Sequence, residues 1–571
     1  MEMKMSYGSF KLRYLGLSLG LALSACGGGS SSPATNGTMD MAVTDAPSNS
    51  FNHVWVTLSG IAFHTDANAT WGASTPGWVS FNLPTPVTID LAALNNGIMN
   101  NAIFSQLSLP AGTYKQIRFF FLSDTDTLSS SAQALFDNET SPQPLQWNDQ
   151  VEYTNAQGQV SESPLEIPYP VQGIQLQGSF TVTPGSPLNL ATDFNLDKII
   201  VPFRSGQTQS FTMKPDLAYF DLSQSGGITG TVDSSALCSG SVPASSCAFN
   251  LFVHAEQISA DGSRYRDIRS TRLDPKTGQF TLAPLPKTDS SGNPVSYDVV
   301  VRGRQMQTLM VTGVPAAGAY SGVALTGATQ ISSTPLPITI ESEYAAQMGA
   351  PLAPLTAGNV IFEQTPGSSS LPHEIRWTNT DPLTGELGRA GLAPWNQAFW
   401  LVNADPQIAA YNPGGLSFSA TTPVEGNGAY SAIANESAFY NYGGSVSLNS
   451  SNALNFILPS PQIISPVQAG SVSGTIAFAA ALPGNYTEGQ IVLARFAHII
   501  SAIPINFVAY GTQNYTFTGV GSDVPSAYYY AYVRLDNCNT SAAHCTHKYY
   551  PVSGYADLRT STSVSGMNIS L

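Results

Sequence analysis

The chain has 571 residues, of which 22 are basic and 37 acidic, giving a formal net charge of −15. At roughly 150 residues per domain, this length predicts about four compact units. Only 10% of the residues are charged, whereas the chain contains 50 glycines and 39 prolines. This composition argues against a helix-rich or coiled-coil architecture and favours strands joined by turns. The acidic balance excludes a nucleic-acid partner, because phosphates require a basic footprint.

The N-terminus carries the pattern of an export signal. Basic residues precede an uncharged, leucine-rich run of about ten residues, which is too short to span a bilayer. The run ends in Leu23-Ser24-Ala25-Cys26-Gly27, which resembles the bacterial lipobox. The resemblance implies that residues 1–25 are a signal peptide and that Cys26 is lipidated. The alternative is an ordinary signal peptide with a cysteine at this place by chance.

A flexible tether is predicted to follow the lipidated cysteine. Residues 26–37 are rich in glycine and serine and have few side chains to bury. The resemblance implies a diacylglyceryl group on the thiol and a further acyl chain such as palmitate on the new amine, which together anchor stably where one chain would not. Gly27 stands where an aspartate would resemble the inner-membrane retention signal. We therefore expect the protein to be anchored in the cell outer membrane. The sequence is compatible with either the periplasmic or the extracellular face.

Four further cysteines form two close pairs along the chain, Cys238 with Cys247 and Cys538 with Cys545. In an exported protein such pairs indicate disulfides. Each would close a loop of about ten residues and stabilise the fold by roughly 2.5 kcal/mol. The alternative is a zinc site that combines the second pair with His544 and His547. An oxidising compartment disfavours it, and adjacent His544 and Cys545 would share one tetrahedron poorly.

Residues 38–222 are predicted to form an antiparallel β domain. An alternating strand ends at Thr44-Asp45-Ala46-Pro47, and the turn Leu109-Pro110-Ala111-Gly112-Thr113-Tyr114 leads into a long apolar strand. With Asp193-Phe194 and Lys214-Pro215, these segments follow the order of a bacterial family of unknown function, numbered 4382, which they resemble. That family occurs in exported lipoproteins, and the resemblance implies no catalytic residues.

Residues 223–341 resemble the carboxypeptidase-regulatory-like, transthyretin-like β-sandwiches. A strand begins at Ile228, and the turn Asp274-Pro275-Lys276-Thr277-Gly278-Gln279-Phe280 leads into another. The resemblance places the unit among carbohydrate-binding-like folds, an association of fold alone.

The same order of strands recurs in residues 466–571, which are predicted to form a C-terminal transthyretin-like β-sandwich. Residues 342–465 are interpreted as a divergent β domain, and one hypothesis makes them a further copy. Within them, the stretch Leu387–Ala410 contains Pro394 and many small residues, which allows a helical insertion or a loop. The predicted fold class is all-β, with serial antiparallel β-sandwich (Ig-like or prealbumin-like) domains after the signal peptide.

Catalytic and cofactor motifs are missing from the sequence. There is no Gly-x-Ser-x-Gly, phosphate loop or dinucleotide fingerprint, and His373-Glu374 lacks the second histidine of a zinc-protease helix. We expect no cofactor and no metal. Asp124 and Asp126 offer oxygens to calcium, but we interpret them as a solvated turn. Four histidines beside predicted strands are interpreted as surface or satisfied core residues: His53, His64, His254 and His498.

Tryptophans are the candidate ligand-binding residues, because sugar rings pack on flat indoles. Trp71 and Trp78 lie in a Gly/Pro/Ser-rich loop, and Trp395 and Trp400 cluster in residues 342–465. The alternative is that these indoles fill cores or junctions between units. On one predicted strand, Tyr528–Val533, aromatic side chains point to both faces. Bulk on both faces indicates a central strand more than a binding platform.

The functional hypothesis is a non-catalytic envelope lipoprotein that presents β-sandwich binding modules in an adhesion, matrix or scaffold role. Its expected partners are the membrane, through the anchor, and glycans or other envelope proteins. One alternative is a carbohydrate-binding lipoprotein that uses the loop aromatics. The other is a polysaccharide hydrolase, since two carboxylates placed ~5 to 10 Å apart by the first domain would suffice.

Overall fold

The computed structural model of the protein is built almost entirely from β-strands, which confirms the predicted fold class. It describes residues 36–46, 51–72, 75–135, 145–154, 160–205, 208–213, 217–235, 251–259, 262–274, 276–303, 306–322, 324–340, 344–348, 359–365, 373–376, 397–401, 406–419, 428–437, 440–448, 454–456, 462–463, 468–478, 486–495, 498–506, 511–523, 527–537, 546–552 and 554–571. Cys26 and the four cysteines predicted to form disulfides, Cys238, Cys247, Cys538 and Cys545, lie outside these ranges. No helix within the ranges is both long and apolar enough to cross a membrane.

The first unit, residues 36–224, is a two-layer sandwich. Its strands are β1 (Asn36–Thr44), β2 (His53–His64), β3 (Val79–Asp90), β4 (Asn100–Pro110), β5 (Gly112–Phe121), β6 (Gln150–Thr154), β7 (Val160–Glu166), β8 (Ile174–Val182), β9 (Pro187–Asp193), β10 (Ile200–Ser205), β11 (Thr208–Met213) and β12 (Ala218–Asp221). Its short helices are α1 (Ser130–Ala134) and α2 (Leu196–Ile199), with 3-10 turns at Leu91–Ala93, Pro170–Gln172 and Leu222–Gln224.

Two sheets share the core of the first unit. One has the order β12-β9-β1-β4, and the other runs β10-β11-β7-β6-β2-β5-β8, with β3 also paired to β2. Most pairs are antiparallel, while β1 with β9 and β7 with β11 are parallel. Met41 and Val43 from the smaller sheet are buried in one cluster with Phe63 and Phe119 from the larger. Alternation of side chains along each strand puts these apolar residues on the inner faces.

The second unit, residues 225–340, is also a sandwich. Its strands are β13 (Ser225–Thr231), β14 (Leu251–Ile258), β15 (Tyr265–Arg272), β16 (Gln279–Pro286), β17 (Ser296–Gly303), β18 (Leu309–Pro315), β19 (Ala319–Ser321), β20 (Ala324–Thr326) and β21 (Thr329–Gln330). The turn before β16 forms as its sequence predicts, because the Asp274 carboxylate accepts hydrogen bonds from the backbone N–H groups of Lys276 and Thr277. Gly278 then takes a left-handed φ of +67°, which glycine adopts readily.

The third unit, residues 344–463, extends the sheet of the second. Its strands are β22 (Tyr344–Met348), β23 (Asn359–Thr365), β24 (His373–Arg376), β25 (Gln397–Leu401), β26 (Gln407–Ala410), β27 (Gly428–Ser437), β28 (Tyr440–Leu448), β29 (Leu454–Phe456) and β30 (Gln462–Ile463). The joint sheet runs β26-β18-β17-β14-β15-β24-β23-β27-β28-β30, and β25-β22-β29 form a smaller one.

The alternatives offered for Leu387–Ala410, a helical insertion or a loop, are wrong where that stretch is described. Residues 397–401 and 407–410 are strands β25 and β26. β26 pairs in parallel with β18 and so covers the edge of the second unit's sheet. An edge strand gains a full set of backbone hydrogen bonds from such a neighbour, an effect that the local sequence does not reveal.

The C-terminal unit, residues 468–571, repeats the strand pairing of the second unit. Its strands are β31 (Gln468–Phe478), β32 (Glu488–Arg495), β33 (His498–Pro504), β34 (Gly511–Ser522), β35 (Tyr528–Asn537), β36 (Thr546–Pro551), β37 (Ala556–Asp557), β38 (Ser563–Val564) and β39 (Ile569–Ser570). The second unit has the orders β16-β13-β21 and β18-β17-β14-β15, and the C-terminal unit has β34-β31-β38 and β36-β35-β32-β33. The strand correspondence predicted from the sequence is therefore present in the fold.

Candidate functional site

The C-terminal unit packs against the first unit along strand β35. One face of β35 places Tyr529 and Val533 in the core of the C-terminal unit. Its other face places Tyr530 and Tyr532 in a second cluster, where Tyr169 of the first unit packs on them. The rings of Tyr169 and Tyr532 are stacked with centroids 5.4 Å apart. β35 lies between β32 and β36, so the prediction of a central strand from its two-sided aromatic pattern is confirmed.

A buried network of charged side chains crosses the same junction. Arg534 Nη1 lies 2.7 Å from the Glu166 carboxylate of the first unit, and its Nε donates to Asp536 at 2.7 Å. The hydroxyl of Tyr549 donates to the other Glu166 oxygen at 2.6 Å. The side chains of Arg534, Glu166 and Asp536 are at most 4% exposed. The network therefore supplies partners to charges that would be costly to bury alone.

His547 and Asp124 form a second ionic contact across the junction. Nε2 of His547 lies 3.3 Å from Oδ1 of Asp124, and both side chains are buried. Burial acts to lower the pKa of His547, but the carboxylates of Asp124 and Glu166 outweigh it, so the pKa is raised above its ordinary value. The surroundings of His547 therefore favour its protonated form more than water does.

The solvated turn predicted for Asp124 and Asp126 is wrong for Asp124. Asp124 is buried against His547 because the C-terminal unit covers it, whereas Asp126 is exposed and accepts from the backbone N–H of Ser123. The other members of the alternative zinc site, Cys538, His544 and Cys545, lie outside the described residues. Across the described ranges, no three His, Cys, Asp or Glu side chains are grouped to hold a metal.

Three of the strand-associated histidines have the satisfied environments predicted for them. Nδ1 of His53 lies 2.7 Å from Asp90, and Nδ1 of His254 lies 3.3 Å from Asp267. Nδ1 of His64 accepts from the backbone N–H of Asp66. His498 begins strand β33.

A small recess, with room for little more than a water molecule, opens beside the buried network, between the first and C-terminal units. Its lining is aromatic on one side and polar on the other: Asn68, Ala69, Thr70, Arg118, Gln172, Gln175, Tyr528, Tyr530 and Tyr555. Tyr528 and Tyr555 stack with ring centroids 5.1 Å apart, and the Arg559 guanidinium lies 4.8 Å over the Tyr528 ring. Arg559 is itself paired with Asp557. Aromatic rings of the C-terminal unit and polar side chains of the first unit thus meet at this junction.

Arg118 is the charged group of this recess, and it is only 6% exposed. Nε donates to Gln116 Oε1 at 2.7 Å, and Nη1 donates to the carbonyl of Gln172 at 2.5 Å. Nη2 donates to Gln175 Oε1 at 3.2 Å and, weakly, to the Ala69 carbonyl at 3.4 Å. Every one of these acceptors is neutral. Burial lowers the pKa of Arg118 to about 10, an effect that Tyr530 and Tyr555 only partly oppose.

The candidate residues Trp71 and Trp78 form the wall behind Arg118. Their rings lie 5.0 Å apart at 77°, edge to face, and both are half-buried. Nε1 of Trp78 donates to the Thr70 carbonyl, and the Arg118 guanidinium lies 5.4 Å over the Trp78 ring. The two indoles therefore lie beside the recess without lining it, and they do not form one flat platform. Trp400 lies on β25 opposite Ala345, and Trp395 lies outside the described residues.

Sequence reasoning placed Trp71 and Trp78 at this site but missed Arg118 and its neighbours. A local signal exists, because Gln116 and Arg118 are polar residues at alternating positions on the apolar strand β5. Both are buried, and glutamine and arginine side chains are rarely buried unless they have hydrogen-bond or ionic partners. The contribution of Tyr528 and Tyr555 has no local signal, since they come from a unit about 400 residues further along the chain.

Comparison with known proteins assigns a family to part of the chain. Residues 36–215 match the family described as Domain of unknown function (DUF4382), which confirms the resemblance predicted for the first unit. No curated protein matches the chain.

Solved structures with some similarity are distant. A leucine-rich repeat protein from Bacteroides thetaiotaomicron has 8% identity and a TM-score of 0.15, with 40% of this chain and 26% of that chain covered. Two B repeat units of the collagen-binding protein of Staphylococcus aureus have 8% identity and a TM-score of 0.11, with 93% and 98% covered. A Streptococcal ancillary pilin has 10% identity and a TM-score of 0.12, with 60% and 98% covered. TM-scores this low support no argument about function.

Proposed function

We propose that this protein is a lipid-anchored, non-catalytic component of the bacterial envelope that presents β-sandwich modules for adhesion, matrix association or scaffolding at the outer membrane. The observation that carries the proposal is the segment Leu23-Ser24-Ala25-Cys26-Gly27, which is followed by a glycine- and serine-rich tether. Strand β1 begins at Asn36, at the predicted end of the tether.

The strand pairing supports the proposal that two of the units are sandwiches of the same kind. The second and C-terminal units share one order of strands in both of their sheets. We infer that both are carboxypeptidase-regulatory-like sandwiches, and that the second keeps the Asp274-to-Phe280 turn of that group.

The surroundings of several buried carboxylates support a non-catalytic role. Asp193 lies 3.0 Å from Arg269, and Glu166 lies 2.7 Å from Arg534. Asp149 accepts from the backbone N–H of Thr57. Each of these groups stabilises the fold through a protein partner, whereas a hydrolase needs a pair that is exposed to substrate.

Metabolic labelling tests the anchor. Cells fed a radiolabelled or clickable palmitate analogue should label the wild-type protein, and it should fractionate with outer membranes. The Cys26→Ser variant should lose the label and the membrane association, while the Ser30→Ala variant in the tether should keep both. Equal labelling of the two variants, or an unlabelled wild-type protein that retains residues 1–25, contradicts the proposal.

A carbohydrate-binding role is the second candidate, and the half-buried loop tryptophans Trp71 and Trp78 favour it. Indole rings match the C–H faces of sugars, and polar side chains such as Asn68 lie in the same loop. A glycan array probed with purified full-length protein should show binding that Trp71→Ala or Trp78→Ala weakens. An array without binding, or binding that both variants retain, argues for the adhesion and scaffold role alone.

A further inference from the structure

Two of the segments that carry the family resemblance meet at one point of the fold. Thr44 ends β1 and Asp193 ends β9, and in this parallel pair of strands the two residues lie opposite each other. The backbone N–H of Leu196, after β9, donates to the Asp45 carboxylate and to the Ala46 carbonyl, after β1. Thr44, Asp45 and Asp193 are therefore held together by the first unit itself.

These three residues surround the guanidinium of Arg269, which belongs to β15 of the second unit. Nη2 donates to the Thr44 hydroxyl at 2.8 Å and to the Asp45 carbonyl at 2.9 Å, and Nη1 lies 3.0 Å from the Asp193 carboxylate. The guanidinium carbon lies 6.0 Å from the centroid of the Phe220 ring. We call Thr44, Asp45 and Asp193 the arginine socket.

The arginine socket suits a guanidinium better than an ammonium. The Thr44 hydroxyl donates its own hydrogen to the Ile98 carbonyl at 3.1 Å, so it presents a lone pair to Arg269. Two neutral acceptors thus face one guanidinium nitrogen, and a carboxylate faces the other. The planar fork of arginine matches this arrangement, whereas lysine would have to serve all three acceptors from a single nitrogen.

The charge of Asp193 also calls for a cation at this place. Its side chain is 4% exposed, and its second carboxylate oxygen has no hydrogen-bond partner in the described part of the chain. Burial raises the pKa of Asp193, and the guanidinium of Arg269 opposes this effect more than Lys198 does. A buried carboxylate that loses its ionic partner is strongly destabilising. The first unit therefore depends on the arginine that the second unit supplies.

A second contact positions the strand that presents the arginine. The backbone N–H of Asn96, in the first unit, donates to the Thr271 hydroxyl at 3.0 Å. The side-chain oxygen of Asn96 accepts from the backbone N–H of Thr281 on β16. Thr271 lies two positions after Arg269, so both side chains point to the same side of β15. The first unit thus holds the strand as well as its arginine.

We propose that the first unit is a docking module, in which the arginine socket recognises one arginine presented on a strand of a neighbouring β-sandwich. In this chain that arginine is Arg269, and the socket fixes the second unit against the first. The inference gives a role to segments 44–47 and 193–194. It depends neither on the lipid anchor nor on the carbohydrate-binding candidate.

Chemical rescue in the full-length protein tests the proposal. Arg269→Ala removes a guanidinium with two methylene groups, which millimolar ethylguanidinium would replace. Hydrogen–deuterium exchange in β9 should become about tenfold or more faster in this variant, because Asp193 loses its partner. Ethylguanidinium should restore most of the lost protection and should leave the wild type unchanged. n-Propylammonium, which corresponds to the missing part of a lysine, should restore none.

Arg269→Lys tests whether the fork is required in addition to the charge. It is the milder substitution, and it decides the question if Arg269→Ala does not fold. Exchange in β9 should become several-fold faster in Arg269→Lys. Arg302→Lys is the matched control, because Arg302 is also buried but lies 2.6 Å from Glu256 of its own unit. It should leave exchange in β9 unchanged.

Asp193→Asn tests the contact from the side of the first unit. Asparagine keeps the shape of the residue and removes the charge, so exchange in β15 of the second unit should become faster. Asp90→Asn is its control, because Asp90 lies 2.7 Å from His53 within the first unit. Exchange in β15 should not change in this control.

Each remaining outcome contradicts the proposal. Equal rescue by the two cations, or wild-type exchange of β9 in Arg269→Lys, would show that the socket does not select a guanidinium. A folded Arg269→Ala variant that neither cation rescues would show that the site does not bind the group. Unchanged exchange of β15 in Asp193→Asn would show that the socket does not dock the second unit.

Discussion

Arg534 joins residues that are more than 350 positions apart in the sequence. It contacts Glu166 from the first unit and Asp536 from its own strand, and all three side chains are buried. Removing the cation would leave two buried carboxylates without this counter-charge. Breaking a buried pair in this way is typically far more costly than losing an exposed one.

The first residue-scale prediction concerns stability. Arg534→Met should lower the free energy of unfolding by about 3 to 5 kcal/mol. The control Arg559→Met removes a pair whose side chains are 34% and 42% exposed, and it should cost less than about 1 kcal/mol. Chemical denaturation monitored by tyrosine and tryptophan fluorescence measures both. Similar losses in the two variants would contradict the importance assigned to the buried network.

The second residue-scale prediction concerns pH. The pKa of His547 is raised in the folded protein, so protonation of this residue stabilises the folded state. The stabilisation is fully present below the unfolded pKa of ~6.5 and is lost as pH rises through the folded pKa. Melting temperatures should therefore fall from about pH 6 to about pH 9 by more in the wild type than in His547→Gln. Burial also raises the pKa of Asp149, so the wild-type melting temperature depends on pH through Asp149 as well. The difference between the wild type and His547→Gln isolates the contribution of His547.

At the scale of elements, the turn before β16 shows how local chemistry determines a strand's start. Gly278 has a φ of +67°, and a Cβ added there would lie 2.3 Å from the Val232 carbonyl oxygen. Gly292 has a φ of +82° with nothing within 4 Å. A side chain at position 278 is therefore disfavoured both by the left-handed backbone and by the nearby carbonyl. At position 292 only the left-handed backbone disfavours it.

Alanine substitutions at these glycines should separate the two effects. Gly292→Ala should destabilise by about 1 to 2 kcal/mol from the left-handed conformation alone. Gly278→Ala should cost clearly more, because the carbonyl of Val232 must also move. Denaturant midpoints of the two variants check this order, and an equal or reversed order would mean that the turn tolerates the contact.

Sequence patterns predicted elements well where the cause is local. The alternation on β35 and the Asp274 turn each have their reason within a few residues, and both formed as expected. Asp124 and β26 were misjudged because their environment comes from distant segments, His547 for the first and β18 for the second. The recess and its surroundings combine both cases. Trp71 and Trp78 beside it were recognisable in a loop, while the tyrosines that line it belong to another unit.

At the scale of the molecule, the units are coupled at two junctions. Arg269 of the second unit contacts Asp193, the Thr44 hydroxyl and the Asp45 carbonyl of the first unit. The C-terminal unit contacts the first unit through Glu166, Asp124 and Tyr169. The first unit thus contacts both the second unit and the C-terminal unit.

This coupling predicts an effect at a distance. Arg534→Met, a change in the C-terminal unit, should increase hydrogen exchange in β7 of the first unit, because Glu166 ends that strand. Arg559→Met should leave exchange in β7 unchanged. Hydrogen–deuterium exchange mass spectrometry measures both, and unchanged protection of β7 in Arg534→Met would show that the junction does not couple the two units.

The contact between β35 and Tyr169 also determines how far the protein can reach. Since the last unit packs against the first, the four units do not form a simple row, and adding up four module lengths would overestimate the reach of the protein. A reporter fused after Leu571 would consequently be attached to a unit that contacts the first one, and not to the far end of a row of modules.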